Sequence, residues 1–305
     1  MTPRIGLATC EEAWREDEDA APLEAALGAA GADVGWVVWD DPSVDWAAHD
    51  LVVVRSTWDY VPRRDAFLGW ADRVASVTRL ANPPSVLRWN TDKHYLEDLA
   101  AAGVPTVPTT FLDPGPRADE HAVRDALPDS GGFVVKPSVS AGSKDTVRYG
   151  DGPGERDRAV AQVATLLATG RGVMVQPYLE AVDRWGETGL VHLGGSFSHA
   201  FRKGPLLEVG GAPVDALYAQ ESIEPRRATD AELALGERAV AAATSILGEP
   251  LLYARIDLLP ADDGSPVLLE LELTEPSLFL ATDPASSGRA AAAIVDAAVN
   301  PAAAR

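Results

Sequence analysis

A single cysteine, Cys10, stands in 305 residues, so no internal disulfide can form and a small disulfide-held scaffold is excluded. Long apolar runs are missing too. The least polar stretch, residues 289–304, is alanine-rich and broken by Asp296 and Asn300, short of the ~20 apolar residues that span a bilayer. The first ten residues run straight into Glu11 and Glu12 and do not read as a secretory leader, so the expectation is a cytoplasmic protein with no membrane segment. Basic residues are scarce: 26 Lys and Arg against 46 Asp and Glu give a net charge of −20, and the 26 form no run, which argues against nucleic-acid binding. Neither G-x-G-x-x-G after the first strand nor G-x-x-x-x-G-K-[ST] occurs, so any nucleotide must be held another way. The five histidines (His49, His94, His121, His192, His199) show no ligand spacing, which makes a zinc hydrolase unexpected.

The composition that remains, 46% hydrophobic and 24% charged, is that of a folded globular chain. Its length suggests about two domains at ~150 residues each. Strand-like runs at 4–10 (RIGLATC), 33–39 (DVGWVVW) and 51–56 (LVVVRS) alternate with helical patterns at 22–30 and 63–77, predicting a parallel α/β unit. Asn82, Pro83 and Pro84 interrupt the chain, a boundary falls near Arg88, and Asn90 is placed to cap a helix to about 102. A smaller α+β unit follows, with helices at 119–127 and 155–169 and strands at 133–137 and 172–179. Strands at 188–193 and 196–202, a helix at 230–247, a hairpin pairing 253–259 with 266–274 through an Asp-Gly turn, and a helix at 284–299 complete the chain. The fold class expected is thus mixed α/β and α+β.

Chemistry concentrates in that hairpin. Strand alternation puts Leu269, Leu271 and Leu273 on one face and Glu270 and Glu272 on the other, about 6.6 to 7 Å apart. Arg255 and Asp257 share a face of the partner strand, so three carboxylates and a guanidinium can meet over one patch, a hard oxygen set suited to Mg²⁺. An exposed charged sheet face reads the same way, and the choice stays open at this level. Lys136 lies inside an apolar run (FVVKP), where its charge either meets an anion or snorkels from an edge strand. Residues 138–143 (SVSAGS) offer hydroxyls and backbone N–H groups, in either a phosphate-binding or a plain surface loop. Residues 55–60 (RSTWDY) follow a strand's carboxyl end, where open α/β sheets place ligands. Arg55 can pair a carboxylate and Asp59 an ammonium, with Ser56, Trp58 and Tyr60 beside them; alternatively the aromatics pack on the core.

Three ordered segments, 90–93 (NTDK), 134–137 (VVKP) with its Ser/Gly loop, and 255–257 (RID) followed by 270–272 (ELE), resemble the ATP-grasp enzymes over about residues 80–280. Within them the chain is similar to the glutathione-synthetase-like carboxylate-amine ligases. Its RSTWDY and RWNTDK segments look most like the bacterial branch containing a cyclo-ligase that closes O-ureido-D-serine to D-cycloserine.

The resemblance implies an N-terminal Rossmann-like pre-ATP-grasp domain (1–88), a small lid domain (89–179) and a larger C-terminal domain carrying the metal site (180–305). It implies that Lys93 and Lys136 touch the ATP phosphates under the loop holding Ser138, Ser140, Gly142 and Ser143, and that Gln176, Tyr178 and Leu179 hold adenine. Asp183 and Glu187 compete for the ribose. Asp257, Glu270 and Glu272 would bind Mg²⁺, as two ions with Mn²⁺ able to substitute; Glu272 stands where many relatives have Asn. Arg255 and Lys203 would stabilise the transferring phosphoryl group, and Ser277 would contact the reacting carboxylate. The activity implied is ATP-dependent activation of a carboxylate as an acylphosphate, followed by C–N bond formation on a small amino-acid-like substrate, intramolecular in a cyclo-ligase. An intermolecular amino-acid ligase and a non-catalytic ATP-binding regulator are the alternatives, and a homodimer or homotetramer is compatible with the chain.

Overall fold

The short apolar runs near the start form four parallel strands, β1 (Arg4–Thr9), β2 (Asp33–Val38), β3 (Leu51–Val54) and β4 (Leu80–Ala81), in the order β2-β1-β3-β4. The computed structural model describes residues 2–116, 118–211 and 222–300. Helices α1 (Ala20–Ala29) and α2 (Arg64–Val77) are the crossovers, and the wholly buried LVVV of β3 is what a strand covered on both faces requires. Cys10 is buried in this core as a free thiol.

Two short helices follow, α3 (Pro84–Asn90) and α4 (Tyr95–Ala101), in place of one helix capped by Asn90. Asn90 instead closes α3, and its side chain crosses to the C-terminal sheet, donating to Leu271 O and accepting from Leu273 N, both at 2.7 Å. An amide spent on a distant strand is not free to cap its own helix. Val86, Tyr95, Leu96 and Leu99 likewise pack in the core of that sheet.

The middle of the chain forms an antiparallel sheet, β5 (Thr110–Leu112), β6 (Phe133–Pro137), β7 (Val147–Tyr149) and β8 (Val173–Pro177), ordered β5-β8-β6-β7. Val123 of α5 (Glu120–Ala126) and Ala159, Val163 and Leu166 of α6 (Glu155–Ala168) cover it.

After α7 (Ala181–Trp185), strands β9 (Glu187–Leu193), β10 (Ser196–Lys203), β11 (Ile223–Pro225), β12 (Tyr253–Pro260) and β13 (Pro266–Glu272) make the third sheet, ordered β11-β10-β9-β12-β13 and antiparallel throughout. Helix α8 (Asp230–Leu247), opened by a Thr229/Glu232 capping box, covers one face against Leu190, Ile256 and Leu258. The opposite face divides. Val191, Leu193 and Tyr253 pack against α9 (Ser286–Val299) and the first sheet, whereas Arg255 and Asp257, further along β12, face a cavity.

The hairpin departs from strict alternation at one place. Pairing steps from Asp257 opposite Glu270 to Leu258 opposite Leu268, so Leu269 is the extra residue of a β-bulge. Leu268, Leu271 and Leu273 therefore fill the core, while Leu269 joins Val107 and Leu259 in a separate small cluster. No helix among the described residues is long and apolar enough to cross a membrane.

Candidate active site

The cavity, of about 410 Å³, opens where the three sheets approach one another. The β12–β13 hairpin supplies its acidic wall. Arg255 lies opposite Glu272 and Asp257 opposite Glu270, so the register alone brings all four side chains together on the face away from Ile256 and Leu271. Arg255 bonds both Asp257, at 2.9 Å, and Glu272, and Lys203 at the end of β10 reaches Asp257 at 2.7 Å. Lys93, in the turn between α3 and α4, meets Glu270 at 3.0 Å and the Ser140 carbonyl at 2.9 Å.

These contacts set the ionisation of the wall. Burial opposes the charge on Asp257, but Arg255 and Lys203 outweigh it and hold the carboxyl below the usual range. Burial likewise works against Glu270, where Lys93 and Lys136 prevail. Glu272 is pushed up to about 7, by burial first and then by Glu270 and Asp257, against the pull of Arg255. Asp257, Glu270 and Glu272 are hard oxygen donors of the kind a divalent cation takes, although each is held by Lys93, Lys203 or Arg255 and their oxygens do not all lie within 4.8 Å of one another.

The opposite pole is cationic. Lys136 on β6 is 8% exposed, and its ammonium has neither an ion pair nor a hydrogen bond among the described residues. Burial lowers its pKa, with Lys93 and Lys203 adding to the effect against Glu270. Next to it the loop after β6 contributes Ser140, Gly142 and Ser143 to the lining, the last two at φ 63° and 60°. Ser138 does not reach the cavity; its N–H bonds Gly172 O at 2.9 Å and its carbonyl accepts from Lys93 N at 2.9 Å, so it fixes the base of the loop.

Gln176, Tyr178 and Leu179 line the far end. Gln176 donates to Thr109 Oγ1 at 2.9 Å. Of the two acids proposed for a ribose, Glu187 lines the cavity, whereas Asp183 is outside it, clasped by both terminal nitrogens of Arg148 at 3.2 Å and by the Tyr178 hydroxyl at 2.5 Å. Arg148 in turn lies 3.4 Å over the Tyr178 ring.

The N-terminal wall differs most from expectation. Trp58, Tyr60 and Ser277 line the cavity, but Arg55, Ser56 and Asp59 do not. Arg55 is 2% exposed and faces Asp19 at 3.5 Å. Asp19 accepts the backbone N–H groups of Leu278, Phe279 and Leu280 at 2.6, 3.1 and 2.7 Å, tying the loop after β1 to the segment beyond the acidic strand. Ser56 pairs with Thr9 Oγ1 at 2.8 Å, and Asp59 accepts Trp39 Nε1 at 2.8 Å and binds Arg63. Ser56 and Asp59 are occupied by Thr9 and Trp39, far off in sequence, which local spacing does not reveal, whereas Arg55 keeps Nε and Nη1 without a hydrogen-bond partner among the described residues. Sequence reasoning also passed over Asp17 and Glu275, which both line this wall. Asp17 stands in a dense run of charges (EDED) that gives no reason to single it out, and Glu275 lies past the strand end, where alternation no longer speaks. Burial, and then Glu272, push the Glu275 carboxyl up to about 8.

Comparison with solved structures defines the class. A D-alanine–D-alanine ligase from Bacillus anthracis matches 98% of both chains with a TM-score of 0.70 at 14% identity, and the ATP-grasp ligase PsnB matches 97% of this chain and 99% of its own with a TM-score of 0.63 at 18% identity. The three sheets are thus an ATP-grasp fold, as the ordered motifs implied. Residues 5–82 match the family model described as D-cycloserine synthetase DcsG, N-terminal domain. The cycloserine biosynthesis protein DcsG of Streptomyces lavendulae is 43% identical over 273 residues, covering 87% of this chain and 88% of that one. The crystal structure of D-cycloserine synthetase DcsG matches with a TM-score of 0.90 at 39% identity over 97% of this chain and 99% of that one. The chain belongs to the D-cycloserine synthetase family of ATP-grasp ligases, ATP-dependent enzymes that form C–N bonds.

Proposed function

We propose that the protein is a cyclo-ligase that activates the carboxylate of O-ureido-D-serine with ATP and closes it towards D-cycloserine. The observation that carries the reading is the opposition of poles in one cavity: a buried lysine, Lys136, without an ion pair among the described residues, shares it with a wall of three carboxylates, as transfer of a polyanionic phosphoryl group requires.

In this reading residues 1–88 read the substrate, 89–179 form the lid over ATP and 180–305 carry the metal ligands. Gln176, Tyr178 and Leu179 would receive adenine and Glu187 the ribose. Lys93 and Lys136 would meet the phosphate oxygens, with the backbone of 140–143 closing over them. Asp257, Glu270 and Glu272 would hold Mg²⁺, as two ions with Mn²⁺ able to substitute, which when bound offsets the charge on the phosphate oxygens. The substrate carboxylate attacks the γ-phosphorus, ADP leaves, and an acylphosphate results. Arg255, fixed at 2.9 Å from Asp257 and so unable to swing away, would steady the phosphoryl group, and Lys203 would do the same from the opposite side. Attack of the substrate's own ureido nitrogen on the acyl carbon then expels inorganic phosphate, which carries off the N–H proton, and water removes the carbamoyl group from the ring nitrogen as carbon dioxide and ammonia to leave D-cycloserine. Trp58, Tyr60 and Ser277 would shape the pocket that holds the organic substrate in a small-molecule site.

The test is incubation with Mg-ATP and O-ureido-D-serine, with ADP followed enzymatically and the product by mass. ADP release matched by a cyclised product is the expected result. ADP release only with pairs of amino acids would replace this reading with intermolecular ligation, and ATP binding without ADP from any carboxylate would replace it with a regulator.

A further inference from the structure

Along the acidic strand and the segment that leaves it, one cavity-lining carboxyl enters no ion pair among the described residues. Glu270 is paired with Lys93 at 3.0 Å, Asp257 with Lys203 and Arg255 at 2.7 and 2.9 Å, and Glu272 with Arg255. Glu275, three residues beyond Glu272, lines the same cavity and enters no ion pair among the described residues. It is nonetheless held in place. Its carbonyl accepts Trp58 Nε1 at 3.1 Å, and Tyr60 lines the cavity beside it, close enough for its hydroxyl to bear on the ionisation of the carboxyl. Tyr60 is itself fixed, 2% exposed and stacked on Phe67 with ring centroids 4.8 Å apart. Glu275 lines the cavity together with Lys93, Glu270 and Glu272, and with Trp58 and Tyr60, which the reading above assigns to the organic substrate.

We propose that Glu275 positions the attacking nitrogen of the second half-reaction, accepting an N–H hydrogen bond that turns the nitrogen lone pair towards the acyl carbon, with Tyr60 fixing the carboxyl. This rests on the ligase reading above. A carboxyl oxygen accepts such a bond whether or not its partner oxygen carries a proton, so the role needs no particular ionisation state. The need is specific to this step: a carbonyl-flanked nitrogen is a poor nucleophile, and misorientation of a reacting pair costs ~100-fold. The first half-reaction, attack of a carboxylate on ATP, involves no N–H and gains nothing from Glu275.

The two halves separate experimentally. With Mg-ATP and O-ureido-D-serine, hydroxylamine intercepts the acylphosphate as a hydroxamate without the substrate's own nitrogen. Glu275→Met, which keeps the side-chain length but removes the acceptor, is expected to cut cyclised product ~100-fold while hydroxamate formation falls less than about tenfold, and Glu275→Gln, whose amide oxygen still accepts, to recover part of that loss. Tyr60→Phe should shift the same ratio less far. If product and hydroxamate fall together, Glu275 serves binding of the whole substrate or the metal wall, and the inference is overturned; if neither falls, it is equally overturned. If wild-type protein gives neither ADP nor hydroxamate, the ligase reading fails and takes this inference with it.

Discussion

Lys136 and Arg55 are both cations almost sealed from water, yet they have opposite consequences for the fold. Arg55 faces Asp19 at 3.5 Å, whereas Lys136 has no ion pair or hydrogen bond among the described residues and feels Glu270 only at longer range. An unpaired buried charge destabilises the fold until a ligand neutralises it, so Lys136→Met should raise the thermal midpoint of the ligand-free protein while raising KM for ATP about tenfold or more. Arg55→Met should do the reverse, costing ~3 to 5 kcal/mol of stability, the usual loss when one member of a buried pair is removed. Calorimetry and ATP kinetics on both variants check this; a drop in midpoint for Lys136→Met would mean that its charge is satisfied in the free protein. Sequence marked both residues as out of the ordinary, one as a lysine in an apolar strand and the other as an arginine at a strand end. It separated them poorly, because the partner of Arg55 lies 36 positions earlier, on a loop whose course only the folded chain defines.

At the scale of the element, the β12–β13 hairpin and the strand β9 were both legible, but the details of their pairing were not. Alternation suffices to put Arg255, Asp257, Glu270 and Glu272 over one patch. The bulge at Leu269 left no trace, because an extra residue is a property of two paired strands and not of either alone. The same holds for Gly189, which lies between Asp257 on one side and Phe201 on the other. A β-carbon there would sit 2.1 Å from the Phe201 ring, a side chain with 0% exposure and nowhere to go. Gly189→Ala should therefore cost ~1 to 3 kcal/mol or more and lower kcat as β12 and Asp257 are pushed aside. Phe201→Leu in the same chain should recover part of both losses. Simple additivity of the two substitutions, read as thermal midpoints and turnover, would show that the ring is not what the glycine accommodates.

Across the whole molecule the cavity wall is shared among all three sheets, so a ligand that fills it ties them together. Mg-ATP is expected to raise the thermal midpoint by mass action, and EDTA to remove most of that gain, since the carboxylate wall opposes a polyanion unless a divalent cation intervenes. An equal shift with ATP in EDTA would contradict the assignment of Asp257, Glu270 and Glu272 to the metal. The ATP-grasp fold was readable from ordered motifs. How its sheets are stitched was not: Asn90 crosses to β13, α9 rests on the first sheet, and the Asp19 carboxylate gathers three backbone N–H groups from residues 278–280. That last clasp bears on how such an enzyme can diversify. Its N-terminal unit cannot be lifted out and replaced like a cassette, because the first loop of that unit finishes the fold of the segment leaving the acidic strand. A chimaera taking residues 1–88 from a distant ATP-grasp ligase would have to import the matching 273–285 as well, and new specificities in this lineage should arise by point changes along the shared wall sooner than by recombination.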